Sequence, residues 1–171
     1  LAGRYLKIEL LGISGSFDFV FDKLTFKTQT SVTNEAPALA STTDPLVRDI
    51  YKVGLNTLKE CMQTVYEDGP KRDRRLWIGD LYLEALANAH TFKNHELTKH
   101  CLYLLAAFAN DEGLLHATLL EKPQPHPQYG THTLDYCLIY NVALLEYLKE
   151  TGDRETANDL WPVVVRQIEL A

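Results

Sequence analysis

Residues 67–80, Glu67-Asp-Gly-Pro-Lys-Arg-Asp-Arg-Arg-Leu-Trp-Ile-Gly-Asp80, interrupt a pattern that is otherwise helical from Asp44 onward. Aspartates and basic residues alternate in this segment beside Trp77, one of two tryptophans in the chain. A carbohydrate site needs this mixture, because charged groups bind sugar hydroxyls, an aromatic ring covers the sugar C–H face, and glycosidic cleavage uses carboxyl groups. The alternative, which the residues leave open, is a solvated charged loop with Trp77 packed into the core.

Helical hairpins are predicted on both sides of this segment. Thr43 or Asp44 can cap a first helix with Pro45 at its first position. An apolar stripe at helical spacing then follows, made of Leu46, Ile50, Val53, Leu58, Met62 and Val65. Further helices are predicted at about 80–92, 95–110, 134–150 and from Asp153, with Pro162 expected to kink or divide the last. Because short and long connections alternate, these helices are expected to pair as antiparallel hairpins.

The N-terminal segment has the pattern of β-strands. Apolar residues alternate with other residues in two runs, Leu6–Leu10 and Phe17–Phe26, separated by a Gly/Ser-rich turn. Two or three strands leave an uncovered apolar face and do not make a stable sheet. We therefore expect residues 1–30 to be the terminal strands of a β-sandwich, residues 31–43 a linker, and residues 44–171 a helical domain. The starting Leu1 suggests a piece cut from a longer protein.

Composition narrows the class of protein. The 171 residues are 46% hydrophobic and 23% charged with a net charge of -6, which is typical of a globular domain and argues against a nucleic-acid binder. No apolar run approaches the roughly 18–20 residues that span a bilayer, so no membrane partner is expected. The three widely spaced cysteines, Cys61, Cys101 and Cys137, are expected to be small core residues without disulfides.

The run from Asp68 to Asp80 resembles the signature loop of the glycoside hydrolase family 78 α-L-rhamnosidases. The loop of that family begins with an aspartate, which a proline follows two positions later. Next come, in this order, an arginine, the general-acid carboxylate, another arginine, a tryptophan and a glycine-aspartate pair. The segments 44–62 and 134–153 are also similar to helices of the family's barrel. The resemblance implies a mainly α fold with a small β segment, namely the first hairpins of an (α/α)₆ barrel preceded by terminal strands of a β-sandwich.

The same resemblance implies roles for individual residues. Asp73 corresponds to the general acid, which is a glutamate in many members, and in the intact protein it is expected in a partly dry pocket beside Trp77. The residues that correspond to the lining of the rhamnose pocket are Asp68, Arg72, Trp77 and Asp80. The family's general base is a glutamate expected beyond Ala171, and no metal or cofactor is required.

The expected function is that of a fragment of an inverting glycosidase, one that releases terminal α-L-rhamnose from glycosides or polysaccharides. Its partners would be a rhamnose-containing carbohydrate and the remainder of the same barrel, and the fragment alone would be inactive. The alternative is a non-catalytic sugar-binding or helical interaction module.

A histidine-containing region gives a weaker candidate site. A zinc site can be drawn from His116, His126, His132, Asp111, Glu112 and Glu121. Their spacing matches no tetrahedral zinc motif. The histidines can instead reach the sugar site from a long loop predicted at residues 121–133.

Overall fold

The computed structural model describes residues 5–171, and these contain five α-helices and three short strands. In chain order these are α1 (Pro45–Cys61), β1 (Leu76–Trp77), α2 (Ile78–His90), α3 (His95–Ala107), β2 (Thr118–Leu120), β3 (His126–Pro127), α4 (Leu134–Thr151) and α5 (Arg154–Leu170). A mainly α fold with a small β segment is therefore confirmed.

The helices pair as predicted. Short connections join α2 to α3 and α4 to α5, whereas long connections precede α2 and α4. The two long connections meet in one antiparallel sheet of order β1-β2-β3, in which Leu119 lies opposite both Leu76 and Pro127. Both irregular segments are thus held at the same end of the hairpins, where the candidate site lies.

The core lies between the hairpins. Helix α2 packs against α1, α3 and α4, and α5 packs against α3 and α4. The fully buried side chains include Met62, Tyr66, Leu81, Leu102 and Tyr140. Cys61, Cys101 and Cys137 are buried and free, as predicted.

Local sequence signals account for the helix ends. The carboxylate of Asp44 accepts a hydrogen bond of 2.7 Å from the backbone of Leu46, and Asp153 accepts one of 3.0 Å from Thr156. Gly152 ends α4 with a φ of 70°.

Pro162 is expected to kink or divide α5, but the helix continues through this residue, so it is not divided. Pro162 and Asn158 lie on the exposed face of α5, where water can satisfy the carbonyl that the proline leaves without a donor.

The predicted N-terminal strands are not formed. Residues 5–30 contain no strand, and residues 5–29 are exposed, whereas the strands that do form lie at residues 76–127. The predicted strand pair is thus absent from residues 5–30, because two strands without the rest of a sheet gain too little from pairing, and the assignment of residues 1–30 to a β-sandwich stays a prediction. Residues 1–4, the start of that prediction, lie outside the described residues.

The first residues of the predicted linker, Ser31 and Asn34, form hydrogen bonds with residues that follow α1 and α2. The backbone of Ser31 donates to the Met62 carbonyl at 2.8 Å and accepts from the Asn94 side chain at 2.8 Å. Asn34 donates to the Phe92 carbonyl at 3.0 Å.

Only the second half of the apolar stripe on α1 is buried. Leu58 is buried, but Leu46, Ile50 and Val53 are 67%, 63% and 65% exposed. The face has no neighbouring helix within the described residues, because α1 contacts the other helices mainly through α2. None of the helices in residues 5–171 combines the length and apolarity that a bilayer crossing requires.

Candidate active site

The signature segment forms a loop that is closed at its base. Between α1 and β1, the backbone N–H of Asp68 donates to the Arg75 carbonyl at 3.1 Å, and the backbone N–H of Arg75 donates to Asp68 Oδ1 at 2.9 Å. Asp68 therefore has a structural role: with Arg75 it closes the base of a loop whose tip is formed by residues 69–74.

The tip of the loop presents Asp73. Asp73 and Arg74 have φ values of 58° and 51°, and the Arg74 N–H donates to the Arg72 carbonyl at 2.8 Å. Consecutive non-glycine residues with positive φ are unusual and tend to occur at functional sites. The tight turn leaves the Asp73 side chain exposed, so the expected partly dry pocket is not present around it in this chain.

The arginines of the tip are exposed as well. Within residues 5–171, neither Arg72 nor Arg74 forms an ion pair with a carboxylate. Their guanidinium groups are accessible to a ligand.

Asp80 and Asp68 are close enough to influence one another. Asp80 lies half-buried in the first turn of α2, where the helix dipole favours a negative charge. Burial, followed by the negative charge of Asp68, raises the pKa of Asp80 above its ordinary value. The structure thus brings two of the predicted pocket residues together behind the loop.

Glu84 extends this acidic cluster and was missed by the sequence analysis. It lies one helical turn after Asp80, and burial followed by the charge of Asp80 raises its pKa to about 8. The Glu84 Oε2 atom is buried without a hydrogen-bond partner within the described residues. The Cys61 thiol lies beside this carboxyl, and burial, then Glu84, raises the pKa of Cys61 to about 12. The four-residue spacing from Asp80 was the available sequence signal.

Trp77 and Tyr136 form an aromatic corner beside Asp80. The two half-buried rings have centroids 6.2 Å apart and planes at 88°. A Cβ atom at Gly79 would lie 2.7 Å from Cζ of Tyr136, so the ring occupies space that only glycine leaves open. The sequence gives no signal for this contact, since it joins α2 to the start of α4.

The second long connection supports the loop. Arg75 Nη1 donates to Gln128 Oε1, and the Thr64 hydroxyl donates to the Glu121 carboxylate at 2.6 Å. The predicted long loop at residues 121–133 therefore does border the site, although it includes β3.

The histidines take separate positions. The rings of His116 and His132 have centroids 4.3 Å apart, whereas His126 interacts with Gln124 in its own loop at 2.7 Å. Burial, then the neighbouring His132, lowers the pKa of His116. No group of three or more metal-ligating side chains occurs in the part of the chain that the structure describes.

Comparison with known proteins places this geometry in a family. The bacterial α-L-rhamnosidase six-hairpin glycosidase domain matches residues 36–170. A rhamnosidase from Klebsiella oxytoca, solved with rhamnose bound, is 45% identical over 82% of this chain, with a TM-score of 0.78. This chain covers 27% of the Klebsiella protein.

A second solved structure supports the fold alone. The family 78 rhamnosidase of Bacillus sp. GL1 is 24% identical over 81% of this chain and has a TM-score of 0.71, and 14% of its length is covered. No match was found among curated proteins. The match over residues 36–170 and the 45% identity to the Klebsiella enzyme show that the chain belongs to the bacterial α-L-rhamnosidase six-hairpin glycosidase family.

Proposed function

We propose that this chain forms the acid-bearing part of the active site of an inverting α-L-rhamnosidase, which releases terminal rhamnose from glycosides or polysaccharides. The observation that carries the proposal is the 45% identity to a rhamnosidase solved with rhamnose bound. The geometry supports it, since Asp68 and Asp80 lie behind a loop beside Trp77, and these are the side-chain types that sugar recognition uses.

Asp73 is the proposed general acid. It donates its proton to the glycosidic oxygen while the bond from that oxygen to the sugar C1 breaks and positive charge develops on the sugar. Its exposed place at the loop tip leaves room for a glycosidic oxygen to approach. Arg72 binds ring hydroxyls, Asp68 and Asp80 accept hydrogen bonds from them, and Trp77 covers the apolar sugar face.

The remainder of the barrel is the proposed partner of this chain. Inversion requires a second carboxylate, roughly 6.5–9.5 Å across the site, to activate the attacking water. By resemblance to the family we place that carboxylate beyond Ala171, and we expect the rest of the barrel to close over the Asp73 tip. Residues 1–171 alone are therefore expected to give no turnover.

The proposal is tested by the reaction of the full-length protein with 4-nitrophenyl α-L-rhamnoside. Release of nitrophenol is expected, and proton NMR at early times should show the β-anomer of rhamnose as the first product. The α-anomer as first product would contradict inversion. Rhamnose binding by calorimetry without turnover would instead favour a non-catalytic sugar-binding module.

A further inference from the structure

Tyr136 lies in the first turn of α4, directly after the second long connection. A Cβ atom on Gly79 would lie 2.7 Å from Cζ and 2.9 Å from Oη of Tyr136, distances that real Cβ contacts do not reach. The phenol ring therefore lies directly over the backbone of the first turn of α2, in space that the absence of a side chain at Gly79 leaves open.

The ring completes a surface with Trp77. The two rings meet edge to face, with centroids 6.2 Å apart and planes at 88°, and each is only half-buried. Two aromatic walls at a right angle enclose a sugar more fully than the single plate provided by Trp77.

The hydroxyl of Tyr136 lies within the electrostatic influence of Asp80. Burial, then the charges of Asp80 and Asp135, raises the pKa of the phenol above its ordinary value, so it remains a proton donor at neutral pH. No hydrogen bond involving this hydroxyl is found within the described range. A partly exposed donor beside Asp80 is thus available to a ligand.

We propose that Tyr136 is a substrate-contacting residue, whose ring forms the second wall of the sugar pocket and whose hydroxyl donates a hydrogen bond to a sugar hydroxyl near Asp80. This inference rests on the proposed function and adds a specificity-determining residue to it. Gly79 acts through Tyr136 as a positioning residue.

The test is Tyr136→Phe in the full-length protein, because this change keeps the ring and removes the hydroxyl. With 4-nitrophenyl α-L-rhamnoside, KM should rise about 3- to 10-fold, the range expected for one lost hydrogen bond. The kcat value should change by less than about twofold, since the contact is made in the ground state as well as in the transition state. Tyr103→Phe is the matched control, because Tyr103 faces Asp159 rather than the loop, and it should leave KM and kcat unchanged.

Gly79→Ala gives an independent readout of the same contact. The added methyl displaces the Tyr136 ring, so KM should rise, and the double variant with Tyr136→Phe should lose less than the product of the two single effects. If the KM of the double variant rises by the full product of the two single effects, Gly79 does not act through Tyr136.

Two results separate this inference from the function on which it depends. An active protein whose Tyr136→Phe and Gly79→Ala variants both keep the unaltered KM would restrict Tyr136 to packing and overturn the inference alone. An unaltered protein that neither hydrolyses the rhamnoside nor binds L-rhamnose in calorimetry would overturn both the inference and the proposed function.

Discussion

Asp73 and Arg74 hold a backbone conformation that few non-glycine residues adopt. Each such position costs on the order of 1–3 kcal/mol and persists only when the surroundings impose it. Here the base of the loop is closed by Asp68 and Arg75, and Arg75 is tied in turn to Gln128. The loop therefore stores strain at the residue proposed as the general acid, and the supporting contacts hold the backbone of the tip in this conformation.

Replacing Asp73 by Asn keeps the shape of the side chain and removes its proton. In the full-length protein, turnover of a natural rhamnoside with a poor leaving group should fall about 10²–10⁴-fold, the usual contribution of general acid catalysis. An activated aryl rhamnoside needs little protonation and should lose much less. Steady-state kinetics on both substrates make this comparison. Equal losses would mean that Asp73 positions the sugar and that another group supplies the proton.

Asp68 combines a loop contact with a proposed sugar contact, and two substitutions separate them. Asp68→Asn keeps an acceptor for the Arg75 N–H, whereas Asp68→Ala removes it. The Ala variant should therefore lose about 1 kcal/mol of stability in urea titrations, and the Asn variant much less. Both should raise KM, because both remove the charge proposed to bind sugar hydroxyls. A normal KM for Asp68→Asn would limit this residue to closing the loop.

At the scale of elements, helix α2 holds the buried carboxyl of Glu84 among other acidic groups, and this lowers the stability of the fold when Glu84 is charged. The Glu84 carboxyl faces Cys61 from α1, Tyr66, Glu67 and Asp68 from the loop, Asp80 from its own helix and Cys101 from α3. Burial and the neighbouring carboxylates raise the pKa of Glu84 to about 8, from 4.5 in the unfolded chain. Between these two pH values the folded chain keeps a proton that the unfolded chain has released, so the contribution of Glu84 to stability falls as pH rises.

Glu84→Gln tests this linkage. The variant should be more stable than the unaltered protein at pH 8.5, by on the order of 1–3 kcal/mol, and the difference should shrink towards pH 4.5. Thermal unfolding at both pH values measures it. Glu60→Gln is the control because Glu60 is exposed on α1, and its effect should be small and alike at the two pH values. A constant difference for Glu84→Gln would contradict a protonated carboxyl at neutral pH.

The elements also show what sequence periodicity can and cannot predict. The hairpin order and the caps Asp44 and Asp153 follow from local signals, because capping is a contact between near neighbours in the chain. The corner of Trp77 and Tyr136 depends on the packing of α4 against α2, which no local pattern specifies. For the same reason the desolvated setting expected for Asp73 in the intact protein stays a prediction, since Asp73 is exposed here and such surroundings come from distant parts of a chain.

At the scale of the whole molecule, helix α1 exposes an apolar face to solvent. Leu46, Ile50 and Val53 follow one face of α1 and are each more than 60% exposed. An apolar stripe at helical spacing is typical of a face that packs against another helix. We therefore expect the remainder of the barrel to cover this face in the full-length protein, in keeping with the 27% of the Klebsiella rhamnosidase that this chain spans.

Ile50→Asp tests whether the face is covered. In residues 1–171 alone the change should alter stability by no more than about 0.5 kcal/mol, because a side chain that remains 63% exposed can keep its charge in water. In the full-length protein the same change would bury an unpaired carboxylate against apolar neighbours and should cost about 3 kcal/mol or more. Lys52→Asp is the control, because Lys52 is exposed outside the stripe, and it should be tolerated in both proteins. Urea midpoints of the four variants and their parents measure these effects.

Equal tolerance of Ile50→Asp and Lys52→Asp in the full-length protein would show that α1 faces solvent there too. The barrel would then have to close around the Asp73 loop without using this helix face.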